Sequence, residues 1–301
     1  MAKVEIVKPL DLFGREKWER LTARNPLLGP LLIVHCWLLI LAAAAMFIIW
    51  PNPVTYILAV MAIGARQLGL AILMHDAAHG LLSNNKKLND ILGGMLSGSP
   101  VGANLIPYRN YHLQHHKFAQ QEEDPDLVLS SPFPVSNDSM KRKIIRDLTG
   151  QTFFKQRIAP LFSKEDRPAF NGSSKKFYVS NIVLFSLCAL TGYWWAYFAL
   201  WIVPLATWNP LVTRLRNIAE HACVKTTTDP WRVARTTLAN PVERLLIAPY
   251  WVNYHCEHHL FMYVPCYRLR GVHKALKAEG HLDKMILSIG YRPVLSEAAS
   301  A

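Results

Sequence analysis

The 301-residue chain is poor in cysteine, and it lacks the motifs of several metal and electron-transfer proteins. It has five cysteines, none of which form a Cys-x-x-Cys pair, and it has neither a His-Pro-Gly-Gly haem motif nor a ferredoxin-like cysteine array. A thiolate zinc site and a fused electron carrier are therefore not expected. Residues 1–26 are polar and charged, and do not read as a signal peptide. No internal repeat or low-complexity tract is visible.

Charge is also scarce, and it is missing from two long stretches. Charged residues make up 18% of the chain and hydrophobic residues 51%. Residues 25–65 contain no charge, and residues 177–213 contain neither a charge nor a histidine. About 20 residues cross the hydrocarbon core of a membrane. The sequence therefore predicts an all-α integral membrane protein, a single domain over residues 1–301, with four transmembrane helices and a cytoplasmic helical cap. The predicted spans cover residues 27–50, 54–74, 177–191 and 194–213.

The positions of lysine and arginine predict the orientation of these spans. Residues 1–26 hold 6 of them, residues 75–176 hold 14 and residues 214–301 hold 12, whereas the short turns between paired spans hold none. Because cytoplasmic segments accumulate positive charge, both termini are expected on the cytoplasmic side. Residues 88–106 are apolar but rich in glycine, and we expect them to be interfacial or re-entrant, without crossing the membrane.

The histidines of this chain are concentrated in three short segments. The segments His-Asp-Ala-Ala-His (75–79), His-Leu-Gln-His-His (112–116) and His-Cys-Glu-His-His (255–259) contain eight of the twelve histidines. On an α-helix, residues three and four apart share a face, so each cluster can direct its imidazoles into one region. Eight imidazoles are too many for one ion, and the fork in the second cluster suits two neighbouring metals. The clustered histidines are His75, His79, His112, His115, His116, His255, His258 and His259.

These three segments resemble the histidine boxes of membrane fatty-acid desaturases and of their hydroxylase and ketolase relatives, and they occur in the same order. The resemblance spans about residues 27–280. It implies two iron ions (Fe2+/Fe3+), O2 as co-substrate, and a double bond introduced into a fatty acyl chain of a lipid or acyl thioester. It also implies that the clustered histidines are catalytic metal ligands, that His221 is a ninth ligand, and that Asn217 reaches a metal through water. The distribution of lysine and arginine predicts that these clusters lie on the cytoplasmic side.

Partners follow from the same resemblance and from the net charge of +12. We expect a separate electron donor of the ferredoxin or cytochrome b5 type, drawn with anionic lipids to the positive cytoplasmic face. No nucleic-acid partner is expected. Acidic residues close to the boxes are candidate acceptors for the second N–H of a ligating imidazole. They are Asp76, Glu122, Asp124, Asp126, Glu220 and Glu257.

Alternatives remain open from the sequence. Hydroxylase or carotenoid ketolase activity would use the same boxes. An intramembrane zinc hydrolase is suggested by the near match of residues 75–79 to His-Glu-x-x-His, and a non-catalytic metal transporter or haem-binding membrane protein is a third class. His35, His273 and His281 are not expected to bind metal, and Cys256 is expected to be a reduced thiol. Arg66 is expected to have a structural or substrate-headgroup role.

Overall fold

The structure is a computed structural model that describes residues 3–159 and 175–301. The described chain is mostly helical, which confirms the coarse fold prediction. Its helices are α1 (Pro9–Leu12), α2 (Arg15–Thr22), α3 (Leu28–Ile49), α4 (Pro53–Ala78), α5 (Lys86–Ile91), α6 (Leu105–Phe118), α7 (Leu127–Ser130), α8 (Asn137–Leu148), α9 (Gln151–Phe153), α10 (Lys175–Leu190), α11 (Trp194–Ala196), α12 (Val203–Ala206), α13 (Trp208–His221), α14 (Pro241–Leu246), α15 (His255–Leu260), α16 (Cys266–Ala278) and α17 (Tyr291–Ala298).

Shorter helical types and two strands complete the described chain. The π-helical segments are Leu92–Gly98, Phe154–Ile158 and Tyr197–Ile202, and the 3₁₀ segments are Ser99–Val101, Pro249–Trp251 and Leu282–Lys284. The strands are β1 (Arg235–Leu238) and β2 (Ile286–Ile289).

The structure adds two short strands to the predicted helices. They pair in parallel, from Arg235 opposite Ile286 to Leu238 opposite Ile289. Each strand has only four residues, too few to show a clear alternation in the sequence. The β-branched pair Thr236 and Thr237 favours extended backbone, and both residues are buried.

The described residues divide into two compact units. The histidine-rich unit comprises those of Met1–Asn25, Arg109–Met140 and Arg214–Ala301, and the apolar unit comprises those of Pro26–Tyr108 and Lys141–Thr213.

In the apolar unit, α3 and α4 are long and apolar enough to cross a membrane. The turn between them is fixed locally. Asn52 caps α4 by accepting the N–H groups of Val54 (3.0 Å) and Thr55 (3.1 Å), and Pro53 occupies the first helical turn, where its missing N–H does no harm. The two helices therefore form the tight hairpin expected from the sequence.

Residues 88–106 do not form one continuous helix. The π-helical segment Leu92–Gly98 and the 3₁₀ turn after it pack along α4, and small residues allow the close approach. A Cβ on Gly93 would lie 2.0 Å from the Cβ of Ala77, and one on Gly98 would lie 2.5 Å from the sulfur of Met74. The interpretation of residues 88–106 as interfacial or re-entrant stays a prediction.

The uncharged stretch 177–213 folds back on itself in the apolar unit. The turn after α10 contains Gly192 at a positive φ of 81°, a conformation open to glycine, and it lies where the sequence suggested. The second arm is a series of helical pieces with a break at Thr207 (φ −120°). Pro204, in α12, has no backbone N–H and so cannot donate a helical hydrogen bond in this arm. Asn181 on α10 joins the arms, because its Oδ1 accepts from Trp201 Nε1 (2.9 Å) and Tyr197 Oη (3.1 Å).

Candidate metal centre

Two helices of the histidine-rich unit carry six of the predicted ligands. The last turns of α6 present His112, His115 and His116, and α15 presents His255, His258 and His259. In both helices the spacing is i, i+3 and i+4, so the three rings share one side of the helix. His221 lies at the end of α13.

The first group of imidazoles in this unit consists of His112, His116 and His258. Their ring nitrogens lie within 4.8 Å of one another. His116 Nε2 is 3.0 Å from His112 Nε2 and 2.9 Å from His258 Nε2. A neutral imidazole nitrogen has either one hydrogen or one lone pair, so His116 Nε2 cannot satisfy both contacts as hydrogen bonds. A bound cation would satisfy them.

The second group consists of His115, His221, His255 and His259, whose ring nitrogens also lie within 4.8 Å of one another. His255 Nε2 is 2.8 Å from His221 Nε2 and 3.2 Å from His259 Nε2, and His115 Nε2 is 3.3 Å from His259 Nε2. The two groups adjoin, because the ring centroids of His116 and His259 are 4.4 Å apart.

The tautomers of two members of the second group follow from their partners. His221 Nδ1 is 3.1 Å from the carbonyl oxygen of Val233, and His115 Nδ1 is 2.8 Å from Asp124 Oδ1. Both partners are acceptors, so each Nδ1 carries the hydrogen. In the neutral ring Nε2 then has a lone pair that points into the group. Converging lone pairs are what a metal ion requires, so these residues fit one.

Burial sets the ionisation of the same groups. Desolvation lowers the pKa of His221 and of His255 well below the ordinary value, and neighbouring imidazoles add to this effect. Burial also lowers the pKa of His115, but the hydrogen bond and charge of Asp124 and the charge of Asp126 outweigh it, so the pKa is raised. His221 and His255 are therefore held in the neutral form that binds metals.

The first histidine box, residues 75–79, lies in the apolar unit. His75 belongs to the last turn of α4 and His79 caps that helix. Their ring centroids are 5.1 Å apart, and the two rings lie edge to face. His75 Nδ1 is 3.8 Å from Asp76 Oδ1. The four-residue spacing thus brings the two imidazoles together, as the sequence predicted.

Asn217 lies on α13 one turn before His221. Its Oδ1 accepts a hydrogen bond from Arg216 (3.2 Å), and the same guanidinium donates from Nε to Glu220 at 2.5 Å. Burial raises the pKa of Glu220 to about 7, although Arg216 opposes the shift. Glu220 Oε2 also lies 3.5 Å from His255 Nε2, which places a carboxylate beside the second group.

The other acidic candidates differ in what they contact. Asp124 holds His115, as described, and Asp126 lies 3.7 Å from the same Nδ1. Glu122 is exposed. Glu257 is buried and pairs with His273 Nδ1 at 2.5 Å, so His273 has a partner that the sequence did not indicate.

Three other residues that the sequence singled out differ in their surroundings. The thiol of Cys256 donates to the carbonyl oxygen of Trp231 (3.4 Å), and burial raises its pKa well above the ordinary value. His35 is exposed on α3, and Arg66 is buried on α4. The role of Arg66 stays a prediction.

Sequence reasoning missed strand β1 and the groups around it. Arg235 donates to the carbonyl oxygens of Ala219 (3.3 Å) and Ala222 (3.0 Å), at the end of α13 that carries His221. Backbone carbonyls such as that of Val233 carry no side-chain signal. The signal that could have indicated β1 is the β-branched pair Thr236 and Thr237.

The chain thus combines a mostly helical fold, two apolar helices of membrane-spanning length and two adjoining groups of imidazoles that could hold metal ions. These are the features of a histidine-rich membrane protein with a candidate metal centre. Comparison with known proteins gives the family. The model of the fatty acid desaturase family matches residues 48–287, so this chain belongs to that family of oxidoreductases, which confirms the resemblance found in the boxes.

Three relatives show the range of similarity. A dihydrorhizobitoxine desaturase of Bradyrhizobium elkanii is 28% identical over 286 residues, which cover 88% of this chain and 79% of the relative. An sn-1 acyl-lipid omega-3 desaturase (ferredoxin) of Nostoc sp. (strain 36) is 24% identical, over 69% of this chain and 63% of its own length, which is less than two thirds. A beta-carotene ketolase of Paracoccus sp. (strain PC1) is 22% identical, over 79% of this chain and 87% of its own length.

Proposed function

We propose that this protein is an O2-dependent di-iron membrane enzyme that introduces a double bond into a fatty acyl chain of a lipid or acyl thioester. The observation that carries the proposal is the convergence of seven imidazoles into two adjoining groups, with contacts that neutral rings cannot all satisfy as hydrogen bonds. An arrangement of this kind, with imidazole and little sulfur, suits two iron ions.

In this proposal nine histidines act as ligands, and Asn217 reaches a metal through water. His75 and His79 are included because they form the family's first box, and His221 because its Nε2 belongs to the second group. Two iron ions held there would supply the reduction of O2 to two water molecules, with two hydrogen atoms from neighbouring methylenes, two electrons from the outside donor and two protons from solvent. The proposed ligands are His75, His79, His112, His115, His116, His221, His255, His258 and His259.

The chain's own residues orient the imidazoles. Asp124 fixes the ring of His115, and the carbonyl oxygen of Val233 fixes that of His221. Such partners set the tautomer and the direction of a ligand ring. Placement of the acyl chain against the site decides which carbon pair reacts, because small displacements change the reaction rate steeply.

We propose four membrane spans, with both termini and the metal site on the cytoplasmic side. Helices α3 and α4 are long and apolar enough to be two of these spans. Helix α10 supports a third span, because it carries exposed large apolar side chains, among them Ile182 and Leu187. Such a surface is expected to face lipid. The positive charge of residues 1–26, 75–176 and 214–301 supports the orientation.

The electrons would come from a separate donor of the ferredoxin or cytochrome b5 type. One relative is named as a ferredoxin-dependent desaturase. The formal charge of +12 favours an acidic partner of this kind.

Hydroxylation or ketolation is the second candidate, and one observation favours keeping it. The beta-carotene ketolase is matched over 87% of its length, a larger share than that of the acyl-lipid desaturase. The zinc hydrolase is disfavoured, because a catalytic zinc needs three protein ligands and would leave most of the imidazoles of the two groups without a role.

Lipid analysis of a host that expresses the protein tests the reaction. The host is grown with the wild type, with His115→Ala and with His35→Ala, and its acyl chains and carotenoids are analysed by mass spectrometry. We expect new unsaturation with the wild type and His35→Ala, and none with His115→Ala. Products that gain oxygen in place of a double bond would overturn desaturation in favour of the second candidate, and hydrolysis independent of O2 would overturn both.

A further inference from the structure

We infer that Glu257, Thr236 and His273 form a clamp that positions the three imidazoles of α15 for metal binding. The inference rests on the proposed metal site, and it assigns these three side chains as positioning residues that contact no metal. We name the set the Glu257 clamp.

Glu257 is a buried carboxylate held from two sides. Glu257 and Thr236 are 0% exposed, and His273 is 9% exposed. Glu257 Oε1 accepts a hydrogen bond from His273 Nδ1 on α16 at 2.5 Å, and Glu257 Oε2 accepts one from the hydroxyl of Thr236 on β1. A buried carboxylate is tolerated only when such partners compensate for its lost hydration.

The clamp faces away from the metal ligands of the same helix. At about 100° per residue, His255, His258 and His259 lie within about 100° of one another around α15, and Glu257 lies on the opposite side. The carboxylate therefore holds the back of the helix while the imidazoles occupy the front.

Helix α15 needs such support, because it has only six residues. An isolated helix of that length does not persist. Thr236 adds a second contact, since its Oγ1 accepts the backbone N–H of Cys256 at 3.2 Å. Just before the helix, Asn253 makes two hydrogen bonds with Thr237. The backbone N–H of Thr237 donates to the carbonyl oxygen of Asn253 (3.0 Å), and Asn253 Nδ2 donates to the carbonyl oxygen of Thr237 (2.9 Å).

One clamp acts on both groups of imidazoles. His258 belongs to the first group, whereas His255 and His259 belong to the second. A rotation or shift of α15 moves all three rings at once. Loss of the clamp should therefore weaken the binding of both ions together, unlike loss of a single ligand.

Cobalt(II) titration of the metal-free, full-length protein tests the clamp. The titration gives a dissociation constant and a visible d–d spectrum that reports ligand geometry, and thermal unfolding of the metal-free protein is measured in parallel. The variants are Glu257→Gln, which keeps the size and removes the charge, His273→Leu, which removes the donor, and His273→Asn, whose amide nitrogen can replace Nδ1. His281→Leu, on the same C-terminal segment, is the matched control.

We expect His273→Leu and Glu257→Gln to weaken cobalt binding about tenfold to a hundredfold, as loss of a group that orients ligands typically does, and to alter the spectrum. His273→Asn should recover most of the affinity and the spectrum, and His281→Leu should match the wild type. A lower melting temperature with unchanged affinity and spectrum would overturn the clamp and leave only a structural role. If His273→Leu does not fold, Glu257→Gln and His273→Asn decide the question.

The two proposals fail in different ways. Wild-type protein that binds no cobalt would overturn the proposed metal site. Wild-type protein that binds cobalt, with variants that bind it equally well, would overturn the clamp alone.

Discussion

His115 donates its Nδ1–H to Asp124 at 2.8 Å, and both side chains are buried. Asp124 is itself fixed, since its carboxylate accepts the backbone N–H groups of Gln120 (2.9 Å) and Asp126 (2.8 Å). The turn after the second histidine box (residues 112–116) thus holds the ring of His115, a proposed ligand from that box. Because the Nδ1–H of His115 is donated to Asp124, the opposite ring nitrogen, Nε2, directs its lone pair into the second group of imidazoles.

Asp124→Ala should therefore weaken metal binding. We expect iron affinity to fall about tenfold to a hundredfold, the usual effect of removing a carboxylate behind a ligating histidine. Competition with chelators of graded strength measures the change. Asp283→Ala, at an exposed aspartate, is the control, and equal iron retention in both variants would contradict this role.

Each of the two groups should serve one ion. His112→Ala removes a member of the first group, and His221→Ala removes a member of the second. Each variant should retain about half of the wild-type iron, because the other group keeps all its ligands and still binds its ion. The double variant His112→Ala/His258→Ala should lose no more than His112→Ala, whereas His112→Ala/His221→Ala should lose both ions. Elemental analysis of purified protein distinguishes these outcomes. Equal loss in the two double variants would show that the groups do not act separately.

Gly93→Ala should destabilise the apolar unit. The new Cβ would lie 2.0 Å from the Cβ of Ala77 on α4, and forced overpacking typically costs about 1–3 kcal/mol. The melting temperature of the purified protein should fall. Gly14→Ala adds the same methyl group where nothing lies within 4 Å, and it should change little. A melting temperature of Gly93→Ala equal to that of Gly14→Ala would show that the packing here is loose.

Asn181→Leu should separate the two arms of the stretch 177–213. It leaves the Trp201 Nε1–H and the half-buried Tyr197 hydroxyl without their shared acceptor, and the unsatisfied buried N–H of Trp201 alone costs about 1–3 kcal/mol. Thermal unfolding measures the effect. Ser186→Leu makes a comparable change at an exposed position of the same helix, and it should be nearly silent. The same loss of stability in both variants would point to helix propensity in place of the hydrogen bonds.

The histidine arrangement could be predicted because most of it is local. His112, His115 and His116 share one helix, so their spacing alone indicates a common face. The same holds for His255, His258 and His259. His221 lies outside the three boxes; its place after the last predicted span made it a candidate, and the family resemblance implied its role.

The support of the site could not be predicted, because it depends on contacts between distant segments. Glu257 finds His273 across 16 residues and Thr236 across 21, and Val233 acts through its backbone. The break at Thr207 in the second arm of 177–213 likewise depends on packing, and the apolar composition of that stretch does not reveal it.

The metal content of the purified, full-length protein tests the central claim most directly. Elemental analysis combined with Mössbauer spectroscopy of iron-57-enriched protein should find about two iron ions per chain in nitrogen-rich sites, as two adjoining imidazole groups require. One zinc ion per chain, or no bound iron after reconstitution under anaerobic conditions, would contradict the account.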